Sequence, residues 1–130
     1  MTRTPIEAAR LLYVKGEHDL AAVEMLLPNG PLDVVCFHLH QACEKYLKAY
    51  LQANGDDFPR THDLDALLDL CAERSRSLET FRNRLEAFLP YPVQLRYEWD
   101  YEPTLDEALA GLEVVKAVRH ALLRQLPELG

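Results

Sequence analysis

The sequence predicts an all-α protein, an antiparallel up-and-down bundle of four to five helices that forms a single domain over residues 1–130. Apolar residues recur at spacings of three and four in successive segments, as on the buried face of an amphipathic helix. Clusters of proline, glycine and asparagine separate these segments. No segment alternates apolar and polar residues as a strand does, and a chain of 130 residues is the size of one ordinary domain.

The first helix opens on a strong start signal. Thr4 is the predicted N-cap, Pro5 the first helical residue and Glu7 the partner that completes a capping box. Gly16 is a candidate position for a kink. The apolar or small residues of one face are Ile6, Ala9, Tyr13, Gly16, Leu20, Val23 and Leu27. Residues 28–31, PNGP, then favour a turn into an antiparallel neighbour.

The second helix is predicted from about Leu32 to about Gln52, before the stop signal at Asn54 and Gly55. At about 100° per residue its side chains separate into two faces. The apolar face has Val35, Leu39, Ala42, Tyr46, Ala49 and Tyr50, with Cys36, Cys43 and Leu47 at its border. The polar face has His38, Gln41, Lys45, Lys48 and Gln52, with Glu44 on its flank.

Three more helices follow in the prediction. The third is capped by Thr61 or Asp63 and carries Leu64, Leu67, Leu68 and Cys71 on one side. The fourth carries Leu78, Phe81, Leu85 and Phe88. The last begins at Thr104, which forms a second capping box with Glu107, and carries Leu105, Leu109, Leu112, Leu123 and Leu126.

Two features of the C-terminal third do not fit a plain bundle. The segment 90–103, PYPVQLRYEWDYEP, is longer than the usual connection of about 2 to 8 residues and is rich in aromatic residues. It is predicted to be either an aromatic cover over one end of the core, which is favoured, or a binding element. Arg119 lies on the apolar arc of the last helix. Three arrangements accommodate its charge: an acidic partner, extension into an interface or, as favoured, extension of the side chain into solvent near the terminus.

The composition restricts the classes of function. Fourteen Lys and Arg against twenty-one Asp and Glu give a formal net charge of −7, so the field of the protein repels phosphate backbones and direct DNA binding is not expected. Three cysteines without paired short spacing indicate reduced thiols in a cytoplasmic protein. No apolar run has the length of a signal peptide or a membrane span.

The stretch FHLHQACEKYLKAY, beginning at Phe37, suggests a metal site or a catalytic centre at first inspection. Winding it into a helix separates His38 from His40, and no Glu-x-x-His pair of the kind found in helical carboxylate-bridged metal sites occurs in the chain. Cys43 at the border of a bundle helix is more typical of a packing residue than of a nucleophile activated by His40. Neither a metal, a cofactor nor a catalytic residue is predicted.

Glu44, Lys45 and Lys48 form either a solvated face, which is favoured, or a rim that meets an anionic ligand or another subunit. The loops offer Arg60 and His62 in PRTHDL, and Arg96 and Tyr97 in LRYEW. If these loops approach the second helix, Arg and Lys side chains can hold phosphates while tyrosines stack on a base.

The order of these motifs resembles the prokaryotic HEPN domain over nearly the whole chain. The resemblance is most specific in QACEKYLKAYL, in His62 with Leu64, and in Arg96 with Tyr97. It implies a compact helical bundle, commonly a homodimer, that is proposed to bind nucleotides beside a small nucleotidyltransferase-like protein in a toxin–antitoxin-like pair. By the same resemblance, a polar cleft is lined by Glu44, Lys45, Lys48, His62, Arg96 and Tyr97.

One departure from that family bears on catalysis. HEPN ribonucleases carry an Arg followed by four to six residues and a His, and no histidine of this chain has an Arg at that upstream distance. The resemblance therefore implies the non-catalytic, nucleotide-binding branch. The alternatives are a ribonuclease toxin with an unconventional pair such as Arg96 and His62, and a structural antitoxin or adaptor. The sequence does not identify the dimer interface, for which Trp99 and Tyr101 are candidate contacts.

Overall fold

The fold is seen in a computed structural model that describes residues 2–86 and 102–130. The α-helices are α1 (Pro5–Leu26), α2 (Leu32–Ala53), α3 (Leu64–Arg74), α4 (Arg82–Leu85) and α5 (Leu105–Gln125). Short 3-10 helices span Arg76–Phe81 and Pro127–Leu129. The described residues contain no strand, and the predicted all-α helical bundle is confirmed.

The helix starts follow the predicted capping chemistry. The Thr4 and Thr104 hydroxyl oxygens each accept a hydrogen bond from the backbone N–H three residues on, and the Glu7 and Glu107 carboxylates accept one from the backbone N–H of the cap residue. Asp63 is the cap of α3, since its carboxylate accepts from two backbone N–H groups of the first turn. These caps satisfy N–H groups that the first turn of a helix leaves without partners.

The α1–α2 pair is an antiparallel hairpin closed by the short turn after Leu27. α1 continues as one helix through Gly16, where the ring of Tyr46 lies so close that a Cβ atom would sit 2.8 Å from ring atom Cε1. Gly16 therefore provides room for an aromatic ring of the facing helix. The kink proposed for this position is not needed to explain the glycine.

α2 is the central helix of the bundle, since α1, α3 and α5 all pack against it. Its predicted apolar face is buried, and so are the border residues Cys36, Cys43 and Leu47. Two polar residues of α2, His40 and Glu44, are also buried. α5 runs antiparallel to α1, because ion pairs join Glu17 to Arg119 and Glu24 to Lys116.

The predicted fourth helix is shorter than its apolar spacing suggested. Ser75 has an extended backbone that ends α3, and the chain then forms a 3-10 helix and the single turn of α4. Leu78 and Leu85 are nevertheless buried as predicted, since each of these short helices contributes one residue to the core. Phe88 and most of the segment 90–103 lie outside the described residues.

Candidate functional site

The Glu44 carboxylate is buried in the middle of α2 and takes hydrogen bonds from two basic side chains. Lys48, one helical turn on, places Nζ 3.0 Å from Oε2. His62, from the connection before α3, places Nδ1 2.9 Å from Oε1. These contacts define the Glu44 site, which consists of Glu44, Lys48, His62 and the neighbouring His40.

The connection between α2 and α3 explains how His62 reaches Glu44. Gly55 has a φ of 77°, a left-handed conformation that glycine adopts at no steric cost, and it reverses the chain directly after α2. The connection then runs back along α2, so that the Phe58 ring lies 5.7 Å from Nζ of Lys48. His62 follows one helical turn further back, beside Glu44.

His62 is the accessible member of the site. Its side chain is 59% exposed, whereas that of Glu44 is only 6% exposed. When Nδ1 donates its hydrogen to the carboxylate, the neutral ring keeps Nε2 as an acceptor. Glu44 thus orients His62 and selects the tautomer in which Nε2 can accept a proton or a hydrogen bond from a ligand.

His40 adds a buried imidazole beside these groups. It is 2% exposed, and its Nε2 has no hydrogen-bond partner among the described residues. Burial lowers the pKa of His40, although the negative charge of Glu44 partly opposes the shift. The ring is therefore neutral near pH 7. A buried polar atom without a partner is uncommon in native proteins and is often a place where a water molecule or a ligand group binds.

Lys45 does not join this group. Its Nζ lies 2.6 Å from Oδ2 of Asp19 on α1, and the other oxygen of that carboxylate lies 2.9 Å from Nδ1 of His38. Asp19 is largely buried, so the three side chains fasten α1 to the polar edge of α2. The lysine that sequence reasoning assigned to a ligand rim is thus held in a helix–helix contact.

Arg119 has an acidic partner, and the favoured prediction of a solvent-extended arginine is wrong. Its Nε and Nη2 lie 2.6 and 3.1 Å from the two carboxylate oxygens of Glu17 on α1. The Tyr46 hydroxyl of α2 also donates to Glu17, over 2.6 Å. The charge on the apolar arc of α5 is accommodated by a network that joins three helices, and the Tyr13 ring packs beside it.

The structure brings together only part of the site proposed from sequence. Glu44, Lys48 and His62 converge, Lys45 lies in the Asp19 contact, and Arg96 and Tyr97 fall outside the described residues. The main residues that sequence reasoning did not place in the site are His40 and Phe58. The signal for His40 was its position one turn before Glu44 on the same helix.

A nucleophilic role for Cys43 finds no support. The side chain is fully buried, and burial raises the pKa of the thiol far above its usual range, so the reactive thiolate is not formed near pH 7. Within residues 2–86 and 102–130, no group of three or more His, Cys, Asp and Glu side chains is arranged to hold a metal ion. In the same residues, no helix is both long and apolar enough to cross a bilayer.

The charges of the site are nearly balanced. The ammonium of Lys48 and the carboxylate of Glu44 neutralise each other, and Lys45 is matched by Asp19. Such a site does not attract a polyanion over a long range, but it can exchange directed hydrogen bonds with a small polar ligand. Phe58 supplies an aromatic surface next to Lys48, and His62 supplies a ring nitrogen.

Comparison with known families finds a match that spans most of the chain. The HEPN domain model matches residues 9–126, a range that begins within the second turn of α1, ends just after α5 and includes the residues of the Glu44 site. No curated protein matches the chain as a relative. The family match extends over far more than half of the sequence. The chain therefore belongs to the HEPN domain family.

Proposed function

We propose that this protein is a non-catalytic HEPN module that forms a homodimer, binds a nucleotide at the Glu44 site and acts beside a nucleotidyltransferase-like protein in a toxin–antitoxin-like pair. The observation that supports nucleotide binding is the buried Glu44 carboxylate, which holds both Lys48 and His62. A buried carboxylate that orients two basic groups is a costly arrangement, which favours a binding role over a purely structural one.

The side chains around Glu44 fit the parts of a nucleotide. Lys48 keeps donors beyond the one used by Glu44, and an ammonium group is a common phosphate binder. Phe58 offers an aromatic face on which a base can stack, and Nε2 of His62 offers a hydrogen-bond acceptor to a sugar hydroxyl or a base amine. Because the charges are nearly balanced, the expected ligand is a single nucleotide and not a long nucleic acid.

Titration calorimetry tests the nucleotide part directly. ATP, ADP and adenosine are titrated into wild-type protein and into Glu44→Gln and His62→Ala variants. Wild-type protein is expected to bind at least one of the nucleotides, and each variant is expected to bind it about tenfold more weakly, since an oriented charged contact is lost. His120→Ala removes an exposed histidine of α5 and serves as the matched control. Absence of heat at millimolar nucleotide overturns this part of the proposal.

The partner part is tested by co-purification. The nucleotidyltransferase-like protein encoded next to this chain is expressed with a tag, and this chain is expected to elute with it at a fixed ratio. Co-expression is expected to change the growth effect of one member alone. If no such reading frame lies beside the gene, or if the two proteins elute separately, the paired function is rejected while nucleotide binding is judged by calorimetry alone.

A second candidate function is a metal-independent ribonuclease with His62 as the general base. It is favoured by one observation, the 2.9 Å contact in which Glu44 holds Nδ1 and leaves Nε2 available on an exposed ring. General bases in hydrolytic sites are commonly oriented by a carboxylate in this way. The test is cleavage of a fluorogenic RNA by wild-type protein and by His62→Ala. Equal rates for the two proteins, at the level of buffer alone, exclude this candidate.

A further inference from the structure

The side of α1 that faces away from the core carries an apolar stripe. Its members are spaced by three and four residues along the helix, and we call them the outer face of α1: Leu11, Val14, His18, Ala21 and Met25. All five are exposed. Leu11 is 49%, Val14 46% and Met25 82% exposed, so this face leaves a large part of its apolar surface in contact with water.

The grouping of these residues distinguishes the stripe from ordinary surface apolar residues. Single exposed apolar side chains are normal on any soluble protein and require no explanation. In the described part of the chain, however, three of the six large apolar side chains that are exposed belong to this one helix face. The buried residues of α1, such as Ala9, Tyr13 and Leu20, lie on the opposite side of the helix, so the core does not account for the stripe.

Charges beside the stripe are arranged with opposite signs at its two ends. Arg10 flanks the N-terminal end and Glu24 flanks the C-terminal end, on the same side of the stripe because fourteen residues bring a helix back to nearly the same direction. Within the protein, Nε of Arg10 donates to the Glu128 carbonyl oxygen, and Glu24 pairs with Lys116 at 3.3 Å. The Glu24 and Lys116 side chains are both more than half exposed, so the Glu24 carboxylate remains accessible to a further partner. A second copy of α1 that lies antiparallel across the stripe places its Glu24 beside Arg10 and its Arg10 beside Glu24. A parallel two-fold copy places the charged edges of the two helices on opposite sides of the interface, so neither Arg10 nor Glu24 meets an opposite charge there.

We propose that the outer face of α1 is the homodimer interface, and that two copies pack there with their α1 helices antiparallel and the two-fold axis near His18. Leu11 of each copy then packs against Met25 of the other, and the Arg10–Glu24 pairs close both edges. A two-fold interface requires a self-complementary surface. In this stripe the apolar residues are distributed evenly on both sides of His18, and opposite charges lie near its two ends, so the surface is complementary to a copy of itself. The inference rests on the dimerisation part of the proposed function and names its surface.

Sedimentation equilibrium over a wide range of protein concentration tests the interface. Val14→Lys places a charge in the middle of the stripe and is expected to weaken dimerisation about tenfold or more, because an unpaired ammonium is buried there. Val34→Lys makes the same substitution at an exposed valine at the start of α2, outside the stripe, and is expected to leave the dimer unchanged. Circular dichroism and thermal unfolding show that each variant is folded.

The antiparallel orientation is tested by exchanging charges. Arg10→Glu alone and Glu24→Arg alone are each expected to weaken the dimer about threefold to tenfold, because like charges then meet. The double variant restores opposite charges across an antiparallel interface and is expected to recover most of the wild-type affinity. If the double variant loses as much dimer affinity as the two single changes together, the antiparallel arrangement is wrong.

The possible results distinguish a failure of the proposed interface from a failure of dimerisation. If wild-type protein is monomeric at every concentration, the dimerisation part of the proposed function fails and the interface fails with it. If wild-type protein is a dimer and Val14→Lys dimerises as strongly as Val34→Lys, the dimer stands and the outer face of α1 is excluded. Nucleotide binding is measured separately and is unaffected by either result.

Discussion

Arg119 and Glu17 lie 102 positions apart in the chain, and their side chains meet in a two-point ion pair between α5 and α1. The same carboxylate accepts the Tyr46 hydroxyl of α2. Burial raises the pKa of Glu17, but the hydrogen bonds from Arg119 and Tyr46 outweigh this effect, so the pKa lies below its ordinary value. One carboxylate thereby joins the three longest helices.

Arg119→Met is expected to lower the free energy of unfolding by about 1 to 2 kcal/mol at pH 7, because Glu17 loses its counter-charge while half-buried. Since the folded pKa of Glu17 is depressed, its contribution is complete above the unfolded value of 4.5 and is lost as pH falls through the folded value. Urea unfolding at pH 7 and at pH values below 4.5 measures both effects. An unchanged pH dependence in the variant contradicts the assignment.

Lys116→Met provides the matched control for that change. Lys116 also lies on α5 and pairs with a carboxylate of α1, Glu24, at 3.3 Å, but both side chains are more than half exposed. Exposed ion pairs contribute little, so the loss is expected to be less than about 0.5 kcal/mol in the same urea experiment. A loss as large as that of Arg119→Met would show that burial does not distinguish the two pairs.

Asp19→Asn is expected to destabilise the protein by about 1 to 2 kcal/mol, since Lys45 keeps its charge and loses the carboxylate that balances it. The effect reflects the contact between α1 and α2 and is measured by urea unfolding. Asp57→Asn, at an exposed position of the connection before α3, is the control and is expected to change stability by less than about 0.5 kcal/mol. Equal effects of the two substitutions on the free energy of unfolding would show that the contacts of Asp19 do not stabilise the fold.

Gly16→Ala is expected to destabilise the protein by about 1 to 3 kcal/mol, because the added methyl group meets the Tyr46 ring at 2.8 Å. In the interior of an isolated helix the same substitution stabilises by about 1 kcal/mol, so the sign of the effect is diagnostic. Repeating it in a Tyr46→Leu background relieves the contact and is expected to remove most of the penalty. A stabilising Gly16→Ala in the wild-type background contradicts the close approach of α1 and α2.

The buried His40 predicts a loss of stability at mildly acidic pH. Its folded pKa is lowered below the ordinary value of 6.5, chiefly by burial. Between the folded pKa and 6.5 the unfolded chain binds more protons than the folded protein, so stability falls as pH decreases through this range. His40→Gln is expected to flatten this dependence in urea unfolding measured between pH 7.5 and 5.5, whereas His120→Gln retains it. A wild-type curve without a decrease contradicts the assignment.

The sequence was sufficient for the long helices and for the buried faces of α1, α2 and α3. The predicted apolar face of α5 was wrong, because Leu105 and Leu109 are 50% and 42% exposed and the buried residues are mainly the smaller Ala108, Gly111, Val114, Val115 and Val118. Periodic apolar spacing and capping boxes are local signals, so α1, α2, α3 and α5 lie where they were predicted. The fourth helix was overestimated because Leu78 and Leu85 have helical spacing whether or not the residues between them form one helix. Ser75 and the 3-10 helix that follows it depend on packing against α3 and α5, which spacing does not reveal.

The candidate site was only partly predictable, for a related reason. Glu44 and Lys48 lie one turn apart on a single helix, so their pairing follows from sequence. Whether Lys45 turns to the site or to α1 depends on Asp19, a residue of another helix, and is decided only by tertiary packing. The proximity of His62 depends on the reversal of the chain at Gly55, which a C-terminal stop signal indicates without giving its direction.

The burial of Cys43 and Cys71 makes these thiols natural reporters of motion in the core. Cys71 lies 3.5 Å from the Leu47 carbonyl oxygen, and burial raises the pKa of its thiol to about 12. Neither sulfur can react with a water-soluble reagent unless α3 moves away from α2 or the chain unfolds. The rate at which a thiol reagent modifies Cys43 and Cys71, distinguished from Cys36 by peptide mass spectrometry, thus measures how often the native protein opens beside the Glu44 site, without any introduced label. A ligand bound there is expected to slow this rate.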